Sequence, residues 1–345
     1  MVSLQRWCRV LGFTVISSLF AAEAFAADTI RVRLDWTPWG NHAPFHLAQE
    51  KGLFKQYGLD VSIDDGNGSV ATVQIVGNGE YDVGHASLAP MAIARSKGLP
   101  VKAIAGFIQK NDIGLLVPKD GGIKTPADLK GKKIASTAGS LEAPFIDRFL
   151  AAGNLKRDDV ELLNVDAAAK AGMYMTGRTD AAFSSVPFFL AVVESKRPSN
   201  AVRFADYGLQ FPSFGLFATE KTIAAKSEAL KKFASVIAGC WAYVFDGHEE
   251  EGAQAVIAAR PQSKLDPKVL RQQIDTLKQY ALTDAVASLP TGTMALSDWQ
   301  QAVKVLTEGG LLGQAVDAKD VFTNDMIDPK IIADVSASLN KRATR

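Results

Sequence analysis

Asp35-Trp36-Thr37-Pro38-Trp39-Gly40-Asn41-His42-Ala43-Pro44-Phe45 is the stretch on which the reading of this chain turns. The run before it, Ile30-Arg31-Val32-Arg33-Leu34, alternates apolar and polar residues and predicts a strand. The run after it, His46 to Glu50, predicts the opening of a helix. Two indoles, two prolines, an amide and an imidazole therefore stand where a strand hands over to a helix. In an open α/β sheet that handover faces the ligand crevice. Rigid, exposed aromatics beside one amide suit a flat small molecule with polar edges. The alternative is that Trp36 and Trp39 only pack a strand end.

The chain has 345 residues, 47% hydrophobic and 22% charged, enough for about two domains with a sizeable core. Lys and Arg number 38 against 37 Asp and Glu, so no basic surface suggests nucleic acid. Residues 1–26 predict a cleaved export signal. Arg6 and Arg9 form its basic start, Val10 to Ala22 its apolar core, and Ala24-Phe25-Ala26 its cleavage site. Of the two cysteines, Cys8 leaves with the signal and Cys240 lies in an apolar helical run, so no internal disulfide is expected. No later segment approaches the roughly 18 continuous apolar residues of a membrane span. The expected location is the periplasm.

Past the opening motif, strands and helices alternate with short connections. Leu59 to Ile63, Tyr81 to His85 and Val101 to Phe107 read as strands, with helices from Ser69 and Ala86. The pattern implies parallel strands covered by helices. It restarts after Gly114-Leu115-Leu116-Val117-Pro118, with Thr125-Pro126-Ala127-Asp128 as a capped helix start. Ser213 to Thr219 reads as a strand returning to the first unit, and the chain is nearly all helical from Ser227.

The chain resembles the NMT1/THI5-like solute-binding proteins. Asp-Trp-Thr-Pro-x-x-Asn-His-Ala, then Ala-Gln-Glu-Lys-Gly-Leu-Phe and Tyr-Gly-Leu-Asp-Val, carry the likeness across Asp35 to Val61. Gly79 to Gly84 and Lys124 to Lys132 extend it. Pro38-Trp39-Gly40 departs from the Pro-Asn-Thr often found there. The resemblance implies a type II periplasmic-binding-protein fold: two doubly wound α/β lobes, two crossover hinge strands and a helical C-terminal extension. Lobe 1 is expected over 28–114 plus 213–340 and lobe 2 over 116–208. Hinges are expected near 114–117 and 209–217, on Leu115–Val117 and Phe214–Phe217. A small-molecule ligand would bind between the lobes, and the closed form would dock on an ABC importer permease served by a cytoplasmic ATPase. The protein is expected to act as a monomer, without cofactor or metal and without catalysis.

Candidate ligand residues follow from their places at strand ends. Trp36 is the first choice for stacking and Trp39 the second. Asn41 reads a ring edge or caps a helix. Ser69 and Ser87 stand at helix starts, whose N–H groups offer donors. Gly139, Ser140 and Glu142 form the matching start in the second unit. There Glu142 would repel an anion and welcome an amino edge, or else complement the helix dipole. Ser184 and Tyr207 complete the set. His42 and His46 are four apart, a spacing metals use, yet the Glu of the zinc-protease motif is missing. His42 is therefore placed in the ligand-binding set, in a supporting or packing role rather than on a metal. No arginine lies at the cleft edges, which favours a neutral or weakly cationic planar heterocycle of pyrimidine type over a sulfonate, nitrate or aromatic carboxylate. An enzyme related to the family's pyrimidine synthase is disfavoured by the single mature cysteine. No Gly-x-Ser-x-Gly motif, phosphate loop or triad is present. A sensor that signals without import is not separable from a transporter by sequence.

Overall fold

The computed structural model describes residues 27–343. The expected export signal, 1–26, lies outside the described residues. Two five-stranded sheets organise the chain. The first has the order β2-β1-β3-β10-β4, from β1 (Asp28–Arg33), β2 (Leu59–Asp64), β3 (Val83–Ser87), β4 (Val101–Gly106) and β10 (Phe214–Thr219). The second has the order β7-β6-β8-β5-β9, from β5 (Ile113–Pro118), β6 (Lys133–Ser136), β7 (Glu161–Asn164), β8 (Ala181–Ser185) and β9 (Ser199–Arg203). Helices flank both, which gives two α/β lobes of the periplasmic-binding-protein fold with a helical C-terminal region.

The sheets repeat one plan. Each is parallel at one end and receives, next to its last strand, an antiparallel strand that has just arrived from the other lobe. β5 pairs antiparallel with β8 and β9, and β10 with β3 and β4. Paired on both sides, β5 is buried from Ile113 to Val117, so its sequence is a continuous apolar run. In β1, by contrast, Ile30 and Val32 turn inward while Arg31 and Arg33 do not.

This pairing sets the expected hinge residues within strands. Leu115–Val117 and Phe214–Phe217 sit inside β5 and β10, held by ladder bonds on two sides. The chain passes between sheets in 107–112 and 204–213 instead. Asp112 ties the two passages together. Its carboxylate accepts from Ser185 Oγ in the second lobe and Ser213 Oγ at the start of β10, each at 2.5 Å. Burial raises its pKa to about 6, although both serines pull the other way.

The C-terminal helices build out the first lobe. Helix Pro329–Ala343 packs along Ser227–Phe245, where a Cβ on Gly239 would meet Val335 at 2.7 Å. Helix Pro267–Leu277 reaches across to Val186–Val193 of the second lobe. Gln273 bridges them: its Oε1 accepts from Gly40 N at 2.8 Å and its Nε2 donates to Phe188 O at 3.1 Å. Among the described residues no helix is long and apolar enough to cross a membrane.

The lobes also meet through backbone. Val70 N and Ala71 N, at the start of helix Ser69–Gly77, donate to Gly139 O at 2.9 and 3.2 Å. Gly68 permits this approach, since a Cβ there would lie 2.2 Å from Gly139 O. Gly68→Ala should therefore break the contact, costing about 1–2 kcal/mol for two lost bonds. Small-angle scattering should report a larger radius of gyration for the variant, and an unchanged radius would refute the steric argument.

Candidate functional site

The opening motif folds as a loop from β1 into a short turn of helix, Gly40–His42, and then helix Ala43–Glu50 with Pro44 in its first turn. Its anchor is Asp35. The Oδ1 atom lies 2.9 Å from His42 Nε2 and 3.2 Å from His85 Nδ1, and all three side chains are buried. Burial alone would raise the Asp35 pKa, but the two imidazoles outweigh it and hold the carboxyl at about 2. The His85 pKa also falls, but for the opposite reason. Burial lowers its pKa against the pull of Asp35.

With Asp35 fixed, the indoles point at the second lobe. Trp36 meets Phe188 edge-on at 6.3 Å, and Trp39 meets Phe188 and Phe214 edge-on at 5.5 Å each. Such pairs add about 0.5–1.5 kcal/mol beyond their area burial. Lys170 Nζ stands 5.2 Å from the Trp36 ring centroid. These groups line a nearly closed cavity of about 10 Å³, room for about one water, with Trp36, Trp39 and Ser69 on one side and Lys170, Ser184 and Phe188 on the other. Trp36 is 6% exposed and Trp39 1%. A larger groove of about 600 Å³ runs past Lys110, Arg203 and Asp298, with neither indole in its wall.

The structure brings Trp36, Trp39, Ser69 and Ser184 to the cavity. The remaining expected residues lie elsewhere. His42 stands behind the indoles on Asp35. Asn41 is fully buried with neither amide atom hydrogen-bonded, so it neither caps a helix nor lines the cavity. Ser87 is buried, and its N–H donates to Ser69 Oγ at 3.1 Å. Gly139 spends its carbonyl on the first lobe, so the free donors expected at Ser69 are taken. Ser140 Oγ donates to Thr137 O within its own turn. Tyr207 packs edge-on against Phe149 at 5.6 Å, inside the second lobe.

Glu142 is neither an exposed dipole partner nor a lone cleft charge. It is fully buried, and its Oε1 accepts from Lys170 Nζ at 2.9 Å. Sequence reasoning misses Lys170 because its partner lies 28 residues away. The one available signal is a lone lysine within Ala167–Met175, an otherwise uncharged helix. Phe188, one of two adjacent phenylalanines after Pro187, carries no distinguishing pattern.

One donor atom each from Asp35, His42 and His85 lies within 4.8 Å of the others, a spacing a divalent ion could accept. The outer nitrogens decide against it. His42 Nδ1 and His85 Nε2 are buried without hydrogen-bond partners. A metal-bound imidazole normally donates its other N–H to a partner. The trio fits two N–H groups converging on one carboxylate, each with its outer lone pair unused. His46 is not part of the group; burial, followed by the charges of His42 and Arg260, lowers its pKa to about 3.

The family profile described as NMT1/THI5 like matches residues 39–251. This chain belongs to the NMT1/THI5-like family. The formylaminopyrimidine-binding protein of Halalkalibacterium halodurans is 23% identical over 317 residues, covering 88% of this chain and 92% of the relative. A 4-amino-5-hydroxymethyl-2-methylpyrimidine phosphate synthase of Saccharomyces cerevisiae is 34% identical over 110 residues, 32% of each chain. The alkanesulfonate-binding protein of Xanthomonas axonopodis pv. citri, solved with MOPS, superposes with a TM-score of 0.65 at 16% identity. That match covers 86% of this chain and 99% of the other. The fold is thus that of the periplasmic solute-binding proteins.

Because the folded Asp35 pKa lies below its ordinary value near 4, the carboxylate stabilises the fold above that pH and less as pH falls toward 2. Asp35→Asn should lose about 2–3 kcal/mol at pH 7, the free energy that holds the carboxyl near 2 instead of near 4. Urea denaturation across pH 3 to 7 should show the deficit shrinking below about pH 4. A deficit constant with pH would refute the ionic role.

Proposed function

We propose that the protein is the extracytoplasmic solute-binding component of an ABC importer, and that it captures a small planar heterocycle of pyrimidine type between its lobes. The observation that carries this reading is the aromatic enclosure. Trp36 and Trp39 from one lobe stand against Phe188 from the other, around a small cavity whose remaining walls are Leu141, Phe214, the Ser69, Ser184 and Ser185 side chains, the Asp35 carboxylate and the paired Lys170. A ring slipped against Trp36 would be stacked, and closure would bring Phe188 to its edge. Hinge motion in 107–112 and 204–213 opens the cleft, and the export signal read in residues 1–26 carries the chain out of the cytoplasm. The formylaminopyrimidine-binding relative supports the ligand class, and its match spans nearly the whole of both chains.

Sulfonate or carboxylate binding is the second reading, since Lys170 lies in the cavity wall. Its pairing with Glu142 makes this the weaker one. Catalysis finds less support, as the likeness to the synthase is confined to 110 residues. Cys240, the one cysteine after the signal, is buried, and burial pushes its thiol pKa up.

A 4-amino-2-methylpyrimidine should quench tryptophan emission and raise the melting temperature by mass action. Trp36→Ala should weaken binding by about tenfold or more in calorimetry, as expected for a lost stacking wall. Wild-type affinity in that variant would refute the stacking reading.

A further inference from the structure

Lys170 and Glu142 form an ion pair in which both side chains are almost wholly buried, at 2% and 0% exposure. An ammonium has three N–H donors. Two are accounted for, by Glu142 Oε1 and by Phe183 O, each at 2.9 Å. The nitrogen faces Trp36 across the cleft. On the other partner, Glu142 Oε2 is buried without any hydrogen bond. An unpaired carboxylate oxygen in the interior is costly, and apolar residues of similar volume would fill the space without that cost. Costs of this kind are kept where function requires the charge.

We propose that Lys170 is a ligand-contacting specificity residue and that Glu142 acts through it, cancelling its charge so that the cleft selects an uncharged ring with an acceptor on its edge and rejects an anion. The inference rests on reading the cleft as a site for planar solutes. A lone lysine at this place would be an anion receptor. With Glu142 one hydrogen bond behind it, an arriving sulfonate or carboxylate gains one charge contact and meets a like charge at short range. A neutral heterocycle takes the third N–H on a ring nitrogen or carbonyl and meets no such repulsion.

The test uses the full mature chain and two probes of similar size, 4-amino-2-methylpyrimidine at pH 8 and benzenesulfonate, measured by calorimetry and tryptophan quenching. The wild type should prefer the pyrimidine by at least about tenfold, the scale set by one favourable charge contact. Glu142→Gln should shift that ratio toward benzenesulfonate by about tenfold or more. The double variant Lys170→Gln with Glu142→Gln leaves no lone buried charge. It should fold, bind the pyrimidine more weakly and show no gain for the sulfonate. A wild type that prefers benzenesulfonate overturns the inference. So does a folded Glu142→Gln, or a double variant, whose ratio matches the wild type while Trp36 quenching persists; in that case the planar-solute reading stands. If neither probe binds the wild type, both readings fall together.

Discussion

A single buried carboxylate sets the geometry of the cleft. Asp35 Oδ1 draws in one imidazole from its own loop and another from the central strand β3. Backbone completes the grip, with Gly68 N donating to Asp35 O at 2.7 Å and Gly66 N to Trp36 O at 3.0 Å. The loop after β1 is thereby zipped to the loop after β2, and the two indoles between these bonds have no freedom to swing away. The proposed stacking role depends on that fixed orientation, because a stacking wall works only when it is held in place before a ring arrives.

The second constraint lies where the lobes join. Each sheet takes its antiparallel strand from the opposite lobe, so neither sheet is complete without the other half of the chain. The two passages between them are pinned by Asp112 through one serine from each side. Around this pin, Gly139 O, Gln273 and the Trp36–Phe188 contact form a rim of weak bonds distributed over both lobes. Two sheets are thus joined by a small pinned region and a rim of separable contacts, the arrangement that the proposed closure would use.

Many of the buried polar atoms without partners gather at one place. Both amide atoms of Asn41, both ring nitrogens of His46, the outer nitrogens of His42 and His85, and the indole N–H groups of Trp36 and Trp39 belong to the opening motif and its partners. Apolar side chains would fill such positions at lower cost. Their concentration beside the cavity marks the region where stability has yielded to recognition.

Sequence alone determined the local elements and their order. Period-two alternation, glycine stops and capped helix starts mark strands and helices without reference to anything distant, and the returning strand at Ser213 to Thr219 was legible as an apolar run between turns. It also placed Trp36 and Trp39 where a strand hands over to a helix, and both line the small cavity between the lobes. Tertiary structure alone decided which polar groups meet. Glu142 read as a cleft carboxylate until Lys170, 28 positions on, was seen to neutralise it. Gln273, 233 residues from Gly40, ties the loop to the second lobe. Leu115–Val117 and Phe214–Phe217 lie within paired strands, and ladder pairing is a property of neighbouring strands, not of a strand's own composition. Charge pairing and strand neighbours depend on contacts distant in sequence, and no local pattern encodes them.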